Sequence, residues 1–340
     1  LLQFPPELNL ILYCVRGQKP EDFNLSQDFD WQFFIKLVQK HKLESLVHKN
    51  LKNIVSNPPP RVVRILRNLT IKTHLHNMEQ MKTLQELVTE FNKHALKVLF
   101  VKGLCVNALY PMEKYQRPAR DIDFIITWQD VAKTISLVEN LGFELIQKKY
   151  KKSQGSIDFR HKKTGILLEL HWNLWSKREE IPSNFTNLWH NREYIKIHNT
   201  KVATLNHLTH ISYLCYHGAG HFWYRLFWLL DVHFLMKNKN IDWAKVINNA
   251  KTHGTLPTLF VASRLSAKLF KTKIPPGLFI NSNRKIQNMF QDVMQVLKKN
   301  PYGTELYPQN FKEKIQRVGW KLKIKSKYRL RTLIKLILIR

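Results

Sequence analysis

Apolar residues recur at three- and four-residue intervals from Trp31 to about position 94, the spacing that lines one face of a helix. Asp30 is placed to cap a helix opening at Trp31. Phe34, Leu37, Val38, His41, Leu46 and Val47 carry its apolar stripe onward. Asn57-Pro58-Pro59-Pro60 ends that unit, because proline has no amide hydrogen to continue a helix. Leu66, Leu69, Met81, Leu84, Leu87, Val88 and Phe91 then predict one long helix over 61–94. Residues 1–25 are mixed, broken by Pro5-Pro6 and Pro20.

The period then shortens. Lys97-Val98-Leu99-Phe100-Val101 is a continuous apolar strand, closed by Lys102-Gly103, and 104–110 reads as a short helix. A polar loop over 115–120 leads into Asp121-Ile122-Asp123-Phe124-Ile125-Ile126, a strand of branched residues. An amphipathic helix over 128–141 is stopped by Gly142. Strands follow over 143–150, 156–161 and 165–172, the last two joined by a Lys162-Lys163-Thr164-Gly165 turn. From about 205 the pattern is helical, with further helices opening near Ile241-Asp242-Trp243, at Pro257 and at Asn283. The fold class is α+β. The expected organisation is an N-terminal helical region over 1–95, a strand-rich core over 96–200, a C-terminal helical domain over 201–315 and a tail over 316–340.

Composition narrows the field without choosing a partner. The 340 residues suffice for about two domains. Lys and Arg number 55 against 25 Asp and Glu, a formal charge of +30, which favours anionic partners: nucleic acid, a nucleotide or an acidic membrane surface. The lysines are spread along the chain, so a plain solvated exterior explains them equally well. Cys14, Cys105 and Cys215 are far apart and odd in number, which points to a reducing compartment and an expected cytoplasmic location. No apolar run reaches the roughly 18 residues of a membrane span. The sequence begins at Leu1 rather than Met, which leaves a preceding targeting segment open.

The chemistry gathers around Asp121 and Asp123. Side chains of a strand alternate between faces, so these two carboxylates point the same way. Side by side in partial burial they repel, and a cation relieves them. Glu169, inside the apolar run Ile166-Leu167-Leu168-Glu169-Leu170-His171-Trp172, is a third acid that burial would otherwise penalise. Its plain alternative is an ion pair with a buried Arg or with His171, and Asp158 is a rival third acid. Three acids on neighbouring strands can hold two divalent ions, the arrangement that stabilises both oxygens of a phosphoryl displacement. Gly103 lets a phosphate approach the backbone closely, while Lys102, Arg117 and Arg120 can neutralise a triphosphate.

With these pieces in this order, the chain resembles the nucleotidyltransferase superfamily that includes DNA polymerase β. More narrowly it resembles the bacterial family of uncharacterised nucleotidyltransferases. The residues that carry the resemblance are Val101-Lys102-Gly103, Ala108-Leu109-Tyr110-Pro111, Arg117-Pro118-Ala119-Arg120-Asp121-Ile122-Asp123 and Leu168-Glu169-Leu170-His171-Trp172. His217-Gly218-Ala219-Gly220-His221, Arg225-Leu226, Leu230-Asp231 and Asp242-Trp243 extend it. The resemblance implies a mixed-sheet catalytic core flanked by helices, two Mg²⁺ ions, and transfer of a nucleoside monophosphate from an NTP to an acceptor: a small molecule, a protein or RNA. It assigns metal binding to Asp121 and Asp123 and the third acid to Glu169. Lys102, Gly103, Arg117 and Arg120 take the nucleotide. One departure stands out: Leu104 follows Gly103 where the superfamily usually has a serine, so a hydroxyl contact to phosphate is absent and Lys102 takes over part of its work.

His217 and His221 are four apart, with His210 and Arg225 near the same face. No Glu or Cys nearby completes a zinc site, and Gly218 and Gly220 weaken a helix there. The cluster either meets phosphate or acceptor or forms a hydrogen-bonded core. The tail alternates basic and apolar residues from Trp320 to Arg331, giving a surface for nucleic acid or acidic lipid, or a solvated face. A rival to the enzyme is therefore a catalytically inactive binding module of the same fold, docking nucleic acid or an acidic surface.

Overall fold

A computed structural model describes residues 4–21, 23–110, 117–147, 149–175, 184–278, 284–299 and 301. Residues 111–116 and 302–340, the expected tail over 316–340 included, lie outside the described residues. The chain divides into two compact units: Leu1–Thr73 with Glu113–Gln116 and Leu214–Arg340, and His74–Met112 with Arg117–Tyr213.

The first unit is helical where it is described. Helix α1 (Pro6–Arg16) has proline at its first turn and Gly17 at its end, where a φ of 70° suits glycine. Sequence reading left this segment unassigned, because the prolines that look like breakers sit where a helix tolerates them. Helix α2 (Trp31–His41) opens on Asp30, whose carboxylate accepts from the amides of Gln32 and Phe33, as the sequence predicts. Helix α3 (Glu44–Ile54) follows, and α4 (Pro60–Lys93) is the long helix expected over 61–94, running from this unit into the other.

The second unit is built on strand β1 (Leu99–Val101), helix α5 (Gly103–Leu109), strand β2 (Asp121–Ile125), helix α6 (Val131–Asn140) and strands β3 (Phe143–Leu145), β4 (Ser156–His161) and β5 (Leu167–His171). Helix α7 (Phe185–His190) and strands β6 (Glu193–Ile197) and β7 (Thr200–Thr204) complete it. The seven strands form one sheet in the order β3-β4-β5-β2-β1-β7-β6. The β2–β5 and β1–β7 pairs are parallel and the others antiparallel, so the expected α+β fold with a mixed sheet holds. The β6–β7 hairpin was missed by the sequence reading. Its strands are short and half exposed, with little apolar alternation to announce them.

Register explains the two faces of this sheet. Ile122, Phe124, Leu168, Leu170, Ile157, Phe159 and Phe100 share one face and join Leu84, Leu87, Val88 and Phe91 of α4 in a continuous core. The rings of Phe91, Phe100 and Phe124 lie 5.4–6.3 Å apart, and burying each contributes roughly 2–3 kcal/mol. Alternation sends Asp121, Asp123, Ser156, Asp158, Glu169 and His171 to the opposite face.

Helices α8 (His207–Gly220), α9 (Leu226–Lys237), α10 (Trp243–Thr252), α11 (Leu256–Phe270) and α12 (Arg284–Lys299) follow, with α8 starting in the sheet unit and ending in the helical one. Asp242 caps α10 through the amide of Lys245. In the helical unit Arg16 Nε donates to the carbonyl of Leu269, tying α1 to α11. Among the described residues no helix is long and apolar enough to cross a membrane.

Candidate active site

Asp123 and Glu169 are partners across the parallel β2–β5 pair, and Asp158 is the next partner along the same row on β4. A carboxylate facing another across a sheet is destabilising unless cations lie between them. Two cations do. Lys102 Nζ is 2.5 Å from Asp123 Oδ1 and 3.5 Å from Glu169 Oε2. His171 Nε2 is 3.2 Å from each of the same two oxygens. Asp123 is 2% exposed, and Lys102 and His171 are each 8% exposed, so solvent screens these contacts little.

Protonation follows from this packing. Burial alone would lower the pKa of His171, but Glu169 and the hydrogen bonds to Asp123 and Glu169 overcome it and hold the ring up at about 9. Burial likewise opposes the charge on Lys102, yet Asp123, Tyr213, Glu169 and Asp121 raise its pKa well above the ordinary lysine value. Two carboxylates, Asp123 and Glu169, thus face Lys102 and His171, and Asp121 lies near enough to act on Lys102.

Glu169 is oriented from its other side. Ser156 Oγ, on β4, donates to Glu169 Oε1 at 3.2 Å, leaving Oε2 toward Lys102 and His171. Asp158, the rival third acid, is engaged with Gln147: its carboxylate accepts from Gln147 Nε2 at 2.6 Å and its amide donates to Gln147 Oε1. Glu169 is both an acid beside Asp123 and the partner of His171, so the two readings of this residue meet in one geometry.

The turn between β1 and α5 brings Lys102 into place. Its backbone takes φ 54° and ψ −146°, a conformation rare outside glycine. The Lys102 amide donates to His210 Nε2 at 3.3 Å. That ring is fully buried, and burial followed by the neighbouring Arg117 charge lowers its pKa to about 3, so it is neutral and able to accept. Gly103, at φ 28°, sits against β2: an added Cβ would stand 3.3 Å from the carbonyl oxygen of Asp121. Arg117 is buried and its carbonyl accepts from Asn77 and Asn107, whereas Arg120 is exposed. Asp121 opens β2 half-buried, opposite Leu167.

His217, His221 and Arg225 belong to the helical unit. The two imidazoles lie 5.0 Å apart, His221 stacks on Trp228, and the Arg225 guanidinium covers the Tyr224 and Trp228 rings at 5.4 and 5.8 Å. Helix α8 continues through Gly218 to Gly220 instead of breaking, and the Trp223 side chain takes the space a side chain at 218 would fill.

Ser156, Tyr213 and the role of His210 were not read from the sequence. Tyr213 is buried with Lys102 Nζ 5.8 Å from its ring centre. A signal for Ser156 exists only in the β4–β5 register, where it lies opposite His171.

Asp123, Glu169 and His171 form a group able to hold a metal ion: one donor atom of each lies within 4.8 Å of the others. Asp121 is not part of that group. The donors fit a divalent ion, since two are anionic oxygens and the third is an imidazole nitrogen.

A family profile described as uncharacterised nucleotidyltransferase matches residues 27–271. The chain belongs to this family. The acid-bearing strands and the Lys102-Gly103 turn all fall inside the matched region. No curated protein matches it. Among solved structures it is similar to ANT(2")-Ia in complex with adenylyl-2"-tobramycin, at 13% identity and a TM-score of 0.33, covering 64% of this chain and 98% of that one. It is also similar to the lincosamide antibiotic adenylyltransferase LnuA with lincomycin bound, at 18% identity and a TM-score of 0.28, covering 37% and 79%. A third is an antigenic nucleotidyltransferase-like protein from Paracoccidioides brasiliensis, at 13% identity and a TM-score of 0.35, covering 60% and 98%.

Proposed function

We propose that this chain transfers a nucleoside monophosphate from an NTP to an acceptor hydroxyl in a Mg²⁺-dependent reaction. The observation that carries the reading is the pairing of Asp123 with Glu169 on adjacent parallel strands, on the sheet face opposite the apolar core. The acceptor oxygen bonds to the α-phosphorus, the bond from that phosphorus to the α,β-bridging oxygen breaks, and pyrophosphate leaves. Bound ions supply charge neutralisation at the attacking and leaving oxygens. Asp121, Asp123 and Glu169 hold them. Glu169 draws off the acceptor proton, with Ser156 fixing its carboxylate. Lys102, the Gly103 turn, Arg117 and Arg120 take the triphosphate, Lys102 turning from Asp123 to do so.

Labelled NTP with Mg²⁺ and a cell extract tests this. Label is expected to move to an acceptor with wild type and to be lost, by at least about a hundredfold, with Asp123→Asn. No transfer, with the two proteins indistinguishable, would overturn the reading.

The second reading is a catalytically inactive binding module for nucleic acid or an acidic surface. It draws on Leu104, which offers no hydroxyl, and on the ion pair of Lys102 with Asp123. Calorimetry separates the two: NTP binding that requires Mg²⁺ supports the enzyme, whereas nucleic-acid binding that is steeply salt-dependent and needs no NTP supports the module.

A further inference from the structure

We propose that His171 is a metal ligand in its own right, and that its nitrogen gives one ion position a preference for a first-row transition ion such as Mn²⁺ over Mg²⁺. The inference rests on the metal-dependent reading above and goes further by naming the donor set.

His171 follows Glu169 by two residues on β5, so both side chains project from one face of the strand. Its Nε2 is 3.2 Å from Asp123 Oδ1 and 3.2 Å from Glu169 Oε2. Ligands at right angles on an octahedral ion with bonds of about 2.1 Å lie about 3 Å apart. Both nitrogen-to-oxygen spacings therefore suit adjacent ligands on such an ion, and all three donors lie within 4.8 Å of one another. Asp121, the second acid of the expected pair, lies outside this group, and the third donor is a nitrogen. The ring is buried, which holds it toward the two carboxylates. Imidazole suits ions such as Zn²⁺, Fe²⁺ and Ni²⁺, and affinity for a mixed nitrogen–oxygen site rises along the first row from Mn²⁺. Mg²⁺ favours oxygen ligands alone. An entering ion displaces Lys102 Nζ from the same two carboxylates and releases the Nε2 proton of His171 to solvent, since only the neutral ring offers a lone pair.

The simpler role for His171 is that of a hydrogen-bonding counter-ion, which vacates the acids when metal enters. The full chain distinguishes the two. Calorimetry with Mn²⁺ and with Mg²⁺ is expected to give wild type an Mn²⁺ preference of about tenfold or more, and His171→Gln a preference reduced to about threefold or less. Pulsed electron paramagnetic resonance of the Mn²⁺-loaded wild type is expected to show coupling to a directly bound ¹⁴N. This readout needs no variant and stands even if His171→Gln fails to fold. Bound Mn²⁺ without nitrogen coupling would overturn this assignment and leave the transfer reading intact. Failure of both ions to bind, with and without NTP, would overturn both.

Discussion

The ammonium of Lys102 lies 2.5 Å from Asp123 Oδ1, on the carboxylate that the proposed chemistry gives to a metal ion. Ion and ammonium compete for one oxygen, and the competitor is tethered at a backbone conformation that few residues adopt. Lys102→Met removes a positive charge from the ion's position, which at an effective dielectric of protein interiors changes ion affinity by roughly tenfold or more. Without NTP, the variant is expected to bind divalent ions more tightly than wild type. With ions present, it is expected to bind NTP more weakly. Calorimetry in both orders of addition checks this. Weaker ion binding in the variant would show that Lys102 supports the site instead of occupying it.

Ser156 holds one oxygen of Glu169, and is itself 2% exposed. Ser156→Ala removes that hydrogen bond without adding bulk, at a cost in stability of about 1 kcal/mol. A carboxylate free to rotate is in its productive position less often. Label transfer is expected to slow by about three- to tenfold while NTP affinity holds within about twofold. Equal loss in both would place Ser156 in nucleotide binding.

Much of this site was legible in the sequence because its residues lie close together along the chain or on strands with strong patterns. Asp121 and Asp123 alternate with Ile122 and Phe124, and that alternation alone sends the acids to one face. Glu169 drew notice because a charge stands in an apolar run. What could not be read was pairing. The opposition of Asp123 to Glu169, of Ser156 to His171 and of Asp158 to Glu169 depends on strand register, which a single sequence does not encode locally. The same limit hid β7, which pairs with β1 from a hundred residues away. Helix α4 was legible almost to the residue, since a 3.6-residue period repeated over nine turns leaves little choice.

Gly218 offers a test of packing in the helical unit. A glycine inside a helix ordinarily costs about 1 kcal/mol relative to alanine, so Gly218→Ala would stabilise a bare helix. Here the added Cβ would overlap Trp223 Nε1 and stand 2.7 Å from its Cδ1. Trp223 is fully buried and cannot retreat into solvent. Gly218→Ala is therefore expected to destabilise by about 2 kcal/mol or more. Gly220→Ala, with nothing within 4 Å of its Cβ, is expected to change stability by less than about 1 kcal/mol. Thermal unfolding of the pair decides the matter, and equal shifts would refute the packing argument.

His41 predicts how the protein responds to acid. Its ring is fully buried: Nδ1 accepts from the Leu226 amide, and Nε2 donates to the Pro301 carbonyl. Only the neutral ring can serve both partners. Burial lowers its pKa to about 4 despite the Pro301 carbonyl, and the Arg225 charge adds to the lowering. Against an ordinary value of 6.5, the folded state binds the proton less well than the unfolded chain. The stabilising difference is fully present above about pH 6.5 and drains away as the pH falls toward 4. A shift of this size corresponds to roughly 3 kcal/mol. His233 and His210, held down to about 4 and about 3 by burial first, act in the same direction. His41→Gln keeps an acceptor and a donor but cannot titrate. Its stability, measured by denaturant unfolding from pH 8 to pH 4, is expected to fall less steeply than that of wild type, with His233, His210 and His48 adding to the remaining slope and Glu44, raised to about 7 by burial, opposing it. A variant whose slope matches wild type would exclude His41 as a source of acid sensitivity.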